Sequence, residues 1–330
     1  MTLSAPPEGG ASNKLPVCVF FGPTASGKTA LLEELFAPPD GAVPPVQAEV
    51  ISADSMQVYR GMDIGTAKPP LSLREKLPHH LVDIRNPDEQ FNAGDFVRLA
   101  DEACREISAR GRLPVISGGT GFYLKNFICG LSEAPPPDRA IRAALSAELA
   151  ERGPEPLMAE LTERDPESAA RIHANDTYRL LRALEVCRVS CRPLGSFAPG
   201  KIPRAGYRFL IIGIRRDREE LYRRVDARCG EMFRAGLPAE VRRLFERGYT
   251  PADPGMRAIG YREFFVGDRS EDGPRLSEDI EGVRTLVARN SRRYVKRQLT
   301  FFASIPGVTW ISAGADAVKA VRKELERLVK

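Results

Sequence analysis

Gly22-Pro23-Thr24-Ala25-Ser26-Gly27-Lys28-Thr29 is the stretch that decides how this chain is read. It follows the apolar run Val17-Cys18-Val19-Phe20-Phe21 and precedes a segment with Leu31, Leu32 and Leu35 at helical spacing. Strand, glycine-bounded loop, Lys-Thr pair and helix together match the phosphate-binding pattern G-x-x-x-x-G-K-[ST]. The layout suits an anion because loop and helix N-terminal amides converge on it. Gly22 and Gly27 allow close backbone approach, Lys28 adds a compact positive charge, and the Thr29 hydroxyl can hold Mg²⁺. Which phosphate compound is held cannot be read from the loop.

Outward from the loop, strands and helices alternate. Glu49-Val50-Ile51-Ser52-Ala53 reads as a second strand ending at Asp54, and Leu113-Pro114-Val115-Ile116-Ser117 as a third, followed by Gly118-Gly119-Thr120-Gly121. Residues 79–84 are a short strand candidate, and 92–110 a helix carrying Phe96, Leu99, Ala103 and Ile107. The alternation predicts an α/β fold with a doubly wound parallel sheet. Strand carboxyl ends line the ligand crevice in such sheets, which places Asp54 beside the phosphate loop. Read locally, Asp54 is equally a turn or helix-cap residue. A P-loop ATPase ordinarily ends a strand with an aspartate that helps hold Mg²⁺; here Ser117-Gly118-Gly119-Thr120 stands instead.

After Pro135-Pro136-Pro137 the composition turns helical through 192, with one helix opening at Asn175/Asp176 and Arg179 and Arg182 three apart on one face. Residues 196–205 read as a loop and 207–214 as a strand returning to the sheet. Helices follow at 217–235, 238–247 and 283–302, then a strand at 308–311 and a helix at 316–329. The net charge is +5, but residues 171–262 carry 20 Lys+Arg against 10 Asp+Glu. A basic segment joined to a phosphate loop suggests a polyanionic partner; a solvated arginine-rich surface is the plainer alternative.

No stretch reaches the run of about 18 apolar residues that a membrane span needs. Residues 1–14 lack the apolar core of a secretory signal and read as a disordered leader. The six cysteines are scattered without a C-x-x-C pair, so reduced cytosolic thiols are expected. His79 and His80 beside an apolar strand read as a packing or hydrogen-bonding pair rather than a metal site.

The motifs jointly resemble the tRNA dimethylallyltransferases (the tRNA isopentenyltransferase or IPP transferase family) of bacterial type. The resemblance rests on residues 22–29, 51–69 (ISADSMQVYRGMDIGTAKP), 79–87, 116–125 (ISGGTGFYLK), 171–185, 258–263 (AIGYRE) and 294–302 (YVKRQLTFF). It implies a P-loop NTPase-like core over 15–137 and 205–330, with a helical insertion over 138–204 that contacts tRNA. The reaction implied is transfer of a dimethylallyl group from dimethylallyl diphosphate to N6 of adenosine 37, 3′ of the tRNA anticodon, with Mg²⁺ as cofactor.

Carried over residue by residue, Gly22, Pro23, Thr24, Ala25, Ser26, Gly27, Lys28 and Thr29 would hold the diphosphate. Asp54 would take the N6 proton, and Thr120 would orient the nucleotide or the diphosphate. Asp54, Ser55, Met56, Gln57, Thr120, Arg142, Tyr178, Arg179, Leu180, Leu181, Arg182, Arg257, Gly260, Tyr261 and Arg262 match tRNA-contacting positions. A cytoplasmic monomer is expected. Phe301, Phe302 and Ala303 depart from the family's Trp and basic residue after KRQ, so one phosphate contact is expected to be missing. Two rival readings share the core: an ATP-using small-molecule kinase and a free-adenylate prenyltransferase. A non-catalytic RNA-binding NTPase switch is the third.

Overall fold

Leu15–Phe21 (β1) leads through the glycine loop into Lys28–Phe36 (α1) and on to Ala48–Ser52 (β2). The computed structural model describes residues 14–38, 44, 46–198, 200, 202–267, 273–314 and 316–329; the expected leader and most of the 38–45 connector lie outside them. There follow Leu71–Lys76 (α2), His79–His80 (β3), Ala93–Ala109 (α3), Leu113–Gly118 (β4) and Gly121–Cys129 (α4). The helices Arg139–Arg152 (α5), Pro154–Arg164 (α6), Pro166–Ala169 (α7) and Thr177–Ser190 (α8) come next. The chain closes with Tyr207–Arg215 (β5), Arg218–Arg234 (α9), Leu237–Glu246 (α10), the hairpin Phe265–Val266 (β6) and Arg275–Leu276 (β7), Ile280–Phe302 (α11), Thr309–Ser312 (β8) and Ala317–Val329 (α12).

Six strands pair in parallel in the order β3-β2-β4-β1-β5-β8. The chain leaves β1 toward one edge and later returns on its other side, so the order reverses beside β1, where such sheets bind ligands. The apolar runs exist because both faces are covered. Successive side chains of β1 point to opposite faces. Phe20 joins Leu31, Leu35, Val115, Ile212, Leu325 and Leu328 beneath α1 and α12. Phe21 packs 4.8 Å from Phe302 of α11. Full burial of a side chain such as Leu35 contributes about 1.5–3 kcal/mol.

Local signals set the helix starts. Asn92 and Asp95 form a reciprocal capping box on α3, and Asp138, Asp176, Asp217 and Asp279 cap α5, α8, α9 and α11.

The chain forms two compact units, Met1–Ile128 with Ile202–Lys330, and Cys129–Lys201. The second begins earlier and ends sooner than the 138–204 that the resemblance implied. Ser132 Oγ donates to Phe197 O and Arg182 Nη2 to Pro135 O, which ties the proline-rich stretch to the helical unit. At the other end Arg204 N donates to Ile128 O and its guanidinium holds Asp101, so the chain has already rejoined the sheet unit. The helical unit has its own core of Leu145, Leu157, Leu161, Leu180 and Leu184.

The strand expected over 79–84 lasts two residues. Leu81 and Asp83 take positive φ (62° and 57°), and Ile84 N donates to Val58 O instead. His80 Nε2 lies 2.6 Å from Glu49 Oε2, and Glu49 also accepts from Arg110 and Arg112. Although burial opposes it, Arg110 and His80 hold the Glu49 carboxyl at about 2. Among the described residues no helix is long and apolar enough to cross a membrane.

Candidate active site

The phosphate loop begins where β1 runs out of parallel partners and ends where Gly27, at φ 96°, turns the chain into α1. An L side chain is strained at that φ, which is why the motif needs glycine there. Ser26 N donates to Pro23 O, closing the turn. Lys28 Nζ folds back to donate to Gly22 O and Pro23 O, both at 2.9 Å. Burial, and then Arg228, pull its pKa from the usual 10.5 down to about 7, against the opposing pull of Asp54. Ser26 Oγ is buried and finds no hydrogen-bond partner among the described residues. Arg216 and Arg224 reach the loop from its outer side, donating to Ser26 O and Ala25 O. A cation held back by loop carbonyls and an orphaned buried hydroxyl, at the N-terminus of α1, together make a cradle for a polyphosphate anion.

Asp54 follows β2, and its Oδ1 accepts from Met56 N (2.9 Å) and Gln57 N (3.3 Å). Oδ2 makes no hydrogen bond among the described residues. The turn reading of Asp54 is therefore correct for one oxygen, while the other remains available for chemistry. Thr120 meets it from β4: Thr120 N donates to Ala53 O, and Thr120 Oγ1 accepts from Ser55 N at 3.0 Å. Gln57 is locked between the Ser52 hydroxyl and the carbonyls of Thr66 and Ala67.

Three cavities in the sheet unit follow one another through shared residues. The first, about 280 Å³, is lined by Asp54, Ser55, Met56, Met232, Ile259 and Tyr294, with Arg257, Arg262 and Arg297 around it. The second, about 90 Å³, is bounded by Lys28, Thr29, Asp54, Gln57, Tyr294 and Gln298. The third, about 340 Å³, opens beside Ala25, Gly27, Lys28, Thr29, Arg224 and Glu231. Arg228 of α9 lines all three, Asp54 the first two, and Lys28 and Thr29 the last two. Burial lowers the pKa of Arg228, and Asp54 opposes that shift. The Tyr294 phenol is pushed up to about 12 by burial and then by the Asp54 charge.

Of the residues matched to tRNA contacts, Ser55, Met56, Arg257, Gly260 and Arg262 line the first cavity with Asp54. Tyr261 does not: its side chain is fully buried, and its hydroxyl donates to Glu240 Oε1 at 2.7 Å. Glu240 also accepts from the amides of Asp63, Ile64 and Gly65, so Tyr261 braces the 63–68 loop from behind. In the helical unit Tyr178 and Arg179 are exposed, and Leu181 packs partly buried against the unit's core. Leu180 is fully buried in that core and offers no surface to a ligand. Arg142 and Arg182 both converge on the fully buried Glu185, at 2.6 and 2.9 Å. Arg179 and Arg182 thus do not act as a matched pair.

Arg224, Arg228, Tyr294, Arg297 and Gln298 were missed as site residues. Their positive or amide character was visible, but nothing local in α9 or α11 marks which side faces the loop. At the position of the family's Trp, the Phe301 ring centroid lies 5.9 Å from Lys125 Nζ, and the next residue, Phe302, is fully buried against Phe21.

Fold and site together define a P-loop protein of parallel α/β architecture whose phosphate cradle faces a carboxylate rather than a strand-end metal acid. The model of the IPP transferase family matches residues 57–304. A protein named tRNA dimethylallyltransferase 2 from Geotalea daltonii is 44% identical over 91% of this chain and 89% of its own length. The solved tRNA isopentenylpyrophosphate transferase of Bacillus halodurans is 35% identical, with TM-score 0.64 over 96% of this chain and 97% of that one. A eukaryotic dimethylallyltransferase solved acting on tRNA is 25% identical, with TM-score 0.72 over 93% of this chain and 77% of that one. The chain belongs to the IPP transferase family.

Proposed function

We propose that this chain transfers the dimethylallyl group of dimethylallyl diphosphate to N6 of the adenosine 3′ of the anticodon in tRNA. The observation that carries the reading is Asp54, which lines both the cavity on the phosphate-loop side and the larger cavity ringed by arginines. The diphosphate rests on the loop amides and Lys28, reached through the third cavity, and the extruded adenine occupies the first. A base buried in its stack must be flipped out to be reached.

In the chemical step the N6 lone pair forms a bond to the allylic carbon as the carbon–oxygen bond to the diphosphate breaks. The N6 proton passes to Asp54, whose Oδ1 is already held by two amides. Proton removal matters because the exocyclic amine is a weak nucleophile with its lone pair delocalised into the ring. Lys28 and Arg228 meet the charge that grows on the departing pyrophosphate.

The Thr29 hydroxyl lines the second cavity with Ser52, and these hard oxygen donors would hold Mg²⁺ beside the diphosphate. When bound, Mg²⁺ supplies charge neutralisation to the leaving group. The exposed Tyr178 ring and Arg179 of the helical unit offer stacking and phosphate contacts to tRNA.

The test is the mass of tRNA nucleosides after incubation with the protein, Mg²⁺ and dimethylallyl diphosphate. One prenyl unit gained on the adenosine 3′ of the anticodon is expected. Unmodified tRNA, or turnover of ATP in its place, would overturn the reading in favour of a kinase or a nucleotide switch.

A further inference from the structure

Gln298 lies far along the chain from the phosphate loop, yet its side chain joins that loop to the end of β4. Its Oε1 accepts from Thr24 N at 2.9 Å, and its Nε2 donates to Gly119 O at 2.8 Å. The residue is 4% exposed, so both bonds are made away from water. Only a primary amide offers an acceptor and a donor in this arrangement. The fit is close: a Cβ at Gly119 would lie 2.6 Å from Nε2, so that position excludes any side chain while Gln298 stays in place.

One helical turn earlier, Tyr294 lines the second cavity together with Gln298. Thr120 Oγ1 accepts from Ser55 N and donates to Ser55 Oγ. A chain of contacts therefore runs from Thr24 in the phosphate loop through the Gln298 amide to Gly119, and from the adjoining Thr120 by hydrogen bond to Ser55, next to Asp54. Every member belongs to the sheet unit.

We propose that Gln298 is a positioning residue that sets the phosphate loop against the Thr120–Ser55 pair, so that occupation of the loop is felt at the turn carrying Asp54. The proposal rests on the reading of the loop as the diphosphate site. The leaving group and the base sit on different strand ends, joined through backbone that the strand ladder holds only up to Phe21 and Gly118 on one side and Ser52 and Ser117 on the other. Beyond the ladder, the side-chain amide of Gln298 bridges the two ends. Misplacement on the scale of 1 Å at a reacting pair costs about 10²-fold in rate.

The test uses the full chain and Gln298→Leu, which keeps the volume and removes both bonds. Amide exchange is followed with and without inorganic pyrophosphate, beside melting curves and steady-state kinetics. In the wild type, pyrophosphate should slow exchange in the loop and at residues 55–57. In the variant it should slow exchange in the loop alone, with kcat lowered about 10²-fold and both KM values close to wild type. Slowed exchange at 55–57 in the variant equal to wild type, or its absence in a wild type whose loop is protected, overturns the relay. A kcat per folded molecule equal to wild type does the same, leaving Gln298 a packing residue. If pyrophosphate fails to protect even the wild-type loop, the diphosphate reading itself fails, and this inference with it.

Discussion

The helical unit and the phosphate-loop region are both rich in arginine, and they use it in opposite ways. In the helical unit Arg142 and Arg182 meet on Glu185, and Arg188 is gripped by Glu148 and Glu160. The hydrogen bonds that Arg188 donates to those two carboxylates raise its pKa above the usual value. These are internal struts. Around the loop, Arg228 is instead lowered by burial and lines three cavities. Arg257, Arg262 and Arg297 line the cavity of about 280 Å³ beside Asp54, Arg262 while also paired with the buried Glu263. Density of positive charge in a sequence therefore says little about anion binding until each guanidinium's partner is known. Arg142, Arg182 and Arg188 are taken up by carboxylates inside the helical unit, whereas Arg228 and Arg297 face cavities, and Arg262 does both through Glu263.

The contrast can be broken at its strongest point first. Lys28→Ala removes the cation closest to the loop carbonyls and should lower turnover roughly 10²–10³-fold, the scale for losing one preorganised charge stabiliser. Affinity for tRNA should stay near wild type. Collapse of tRNA binding in that variant would show that the loop and the polyanion surface are not separate.

Next in size is Glu185→Ala. It strands Arg142 and Arg182, which retain 35% and 22% side-chain exposure and so keep part of their hydration. A loss of about 1–3 kcal/mol in stability is expected, read by thermal or urea unfolding. An unchanged midpoint would mean that these arginines are not struts.

Arg179→Ala and Arg182→Ala then sharpen the comparison within one helix. Arg179 is 71% exposed and paired only with Asp176 across one turn, so its loss should leave the melting temperature alone. It should also flatten the salt dependence of tRNA binding by about one unit of slope. Arg182→Ala should do the reverse. Equal salt slopes for the two variants would erase the distinction drawn here.

The smallest effect is in pH. With the free-protein pKa of Lys28 near 7, the side chain is largely charged at pH 6 and largely neutral at pH 8. A bound diphosphate favours the charged form and raises that pKa. Binding should therefore take up no proton from Lys28 at pH 6 and up to one at pH 8, with affinity weakening as pH rises above 7. Calorimetry of dimethylallyl diphosphate binding in buffers of different ionisation enthalpy measures this, and Lys28→Met should abolish the difference. Equal uptake in the variant would assign the proton elsewhere.

Much of this organisation is legible in the sequence, and the gaps have identifiable causes. Gly22 to Thr29 revealed strand, loop and helix because Gly27 answers a backbone need and Lys28 and Thr29 a chemical one. Asp54 was placed by the rule that strand ends line the crevice, and the structure adds the two amides that split its oxygens into one structural and one free. Residues 79–84 misled because an apolar run records burial without recording the positive φ at Leu81 and Asp83. Arg182 misled because helical spacing gives its face but not the Glu185 that spends its charge. Leu180 and Tyr261 misled because a motif position does not say whether a side chain touches the ligand or braces the backbone that does. Gln298 stood inside the quoted 294–302 motif without a role, because its partners Thr24 and Gly119 lie far along the chain and α11 meets them only once the sheet is formed.

The central claim is that Asp54 takes the proton while the loop holds the leaving group. Asp54→Asn is nearly isosteric and can still accept the Met56 and Gln57 amides through its carbonyl oxygen. Its melting curve, pyrophosphate affinity and tRNA affinity should match wild type. Single-turnover transfer with saturating tRNA and dimethylallyl diphosphate should slow by roughly 10²–10⁴-fold, the worth of a positioned general base. A variant that loses thermal stability but transfers at the wild-type rate per folded molecule would contradict the account and return Asp54 to the role of a turn residue.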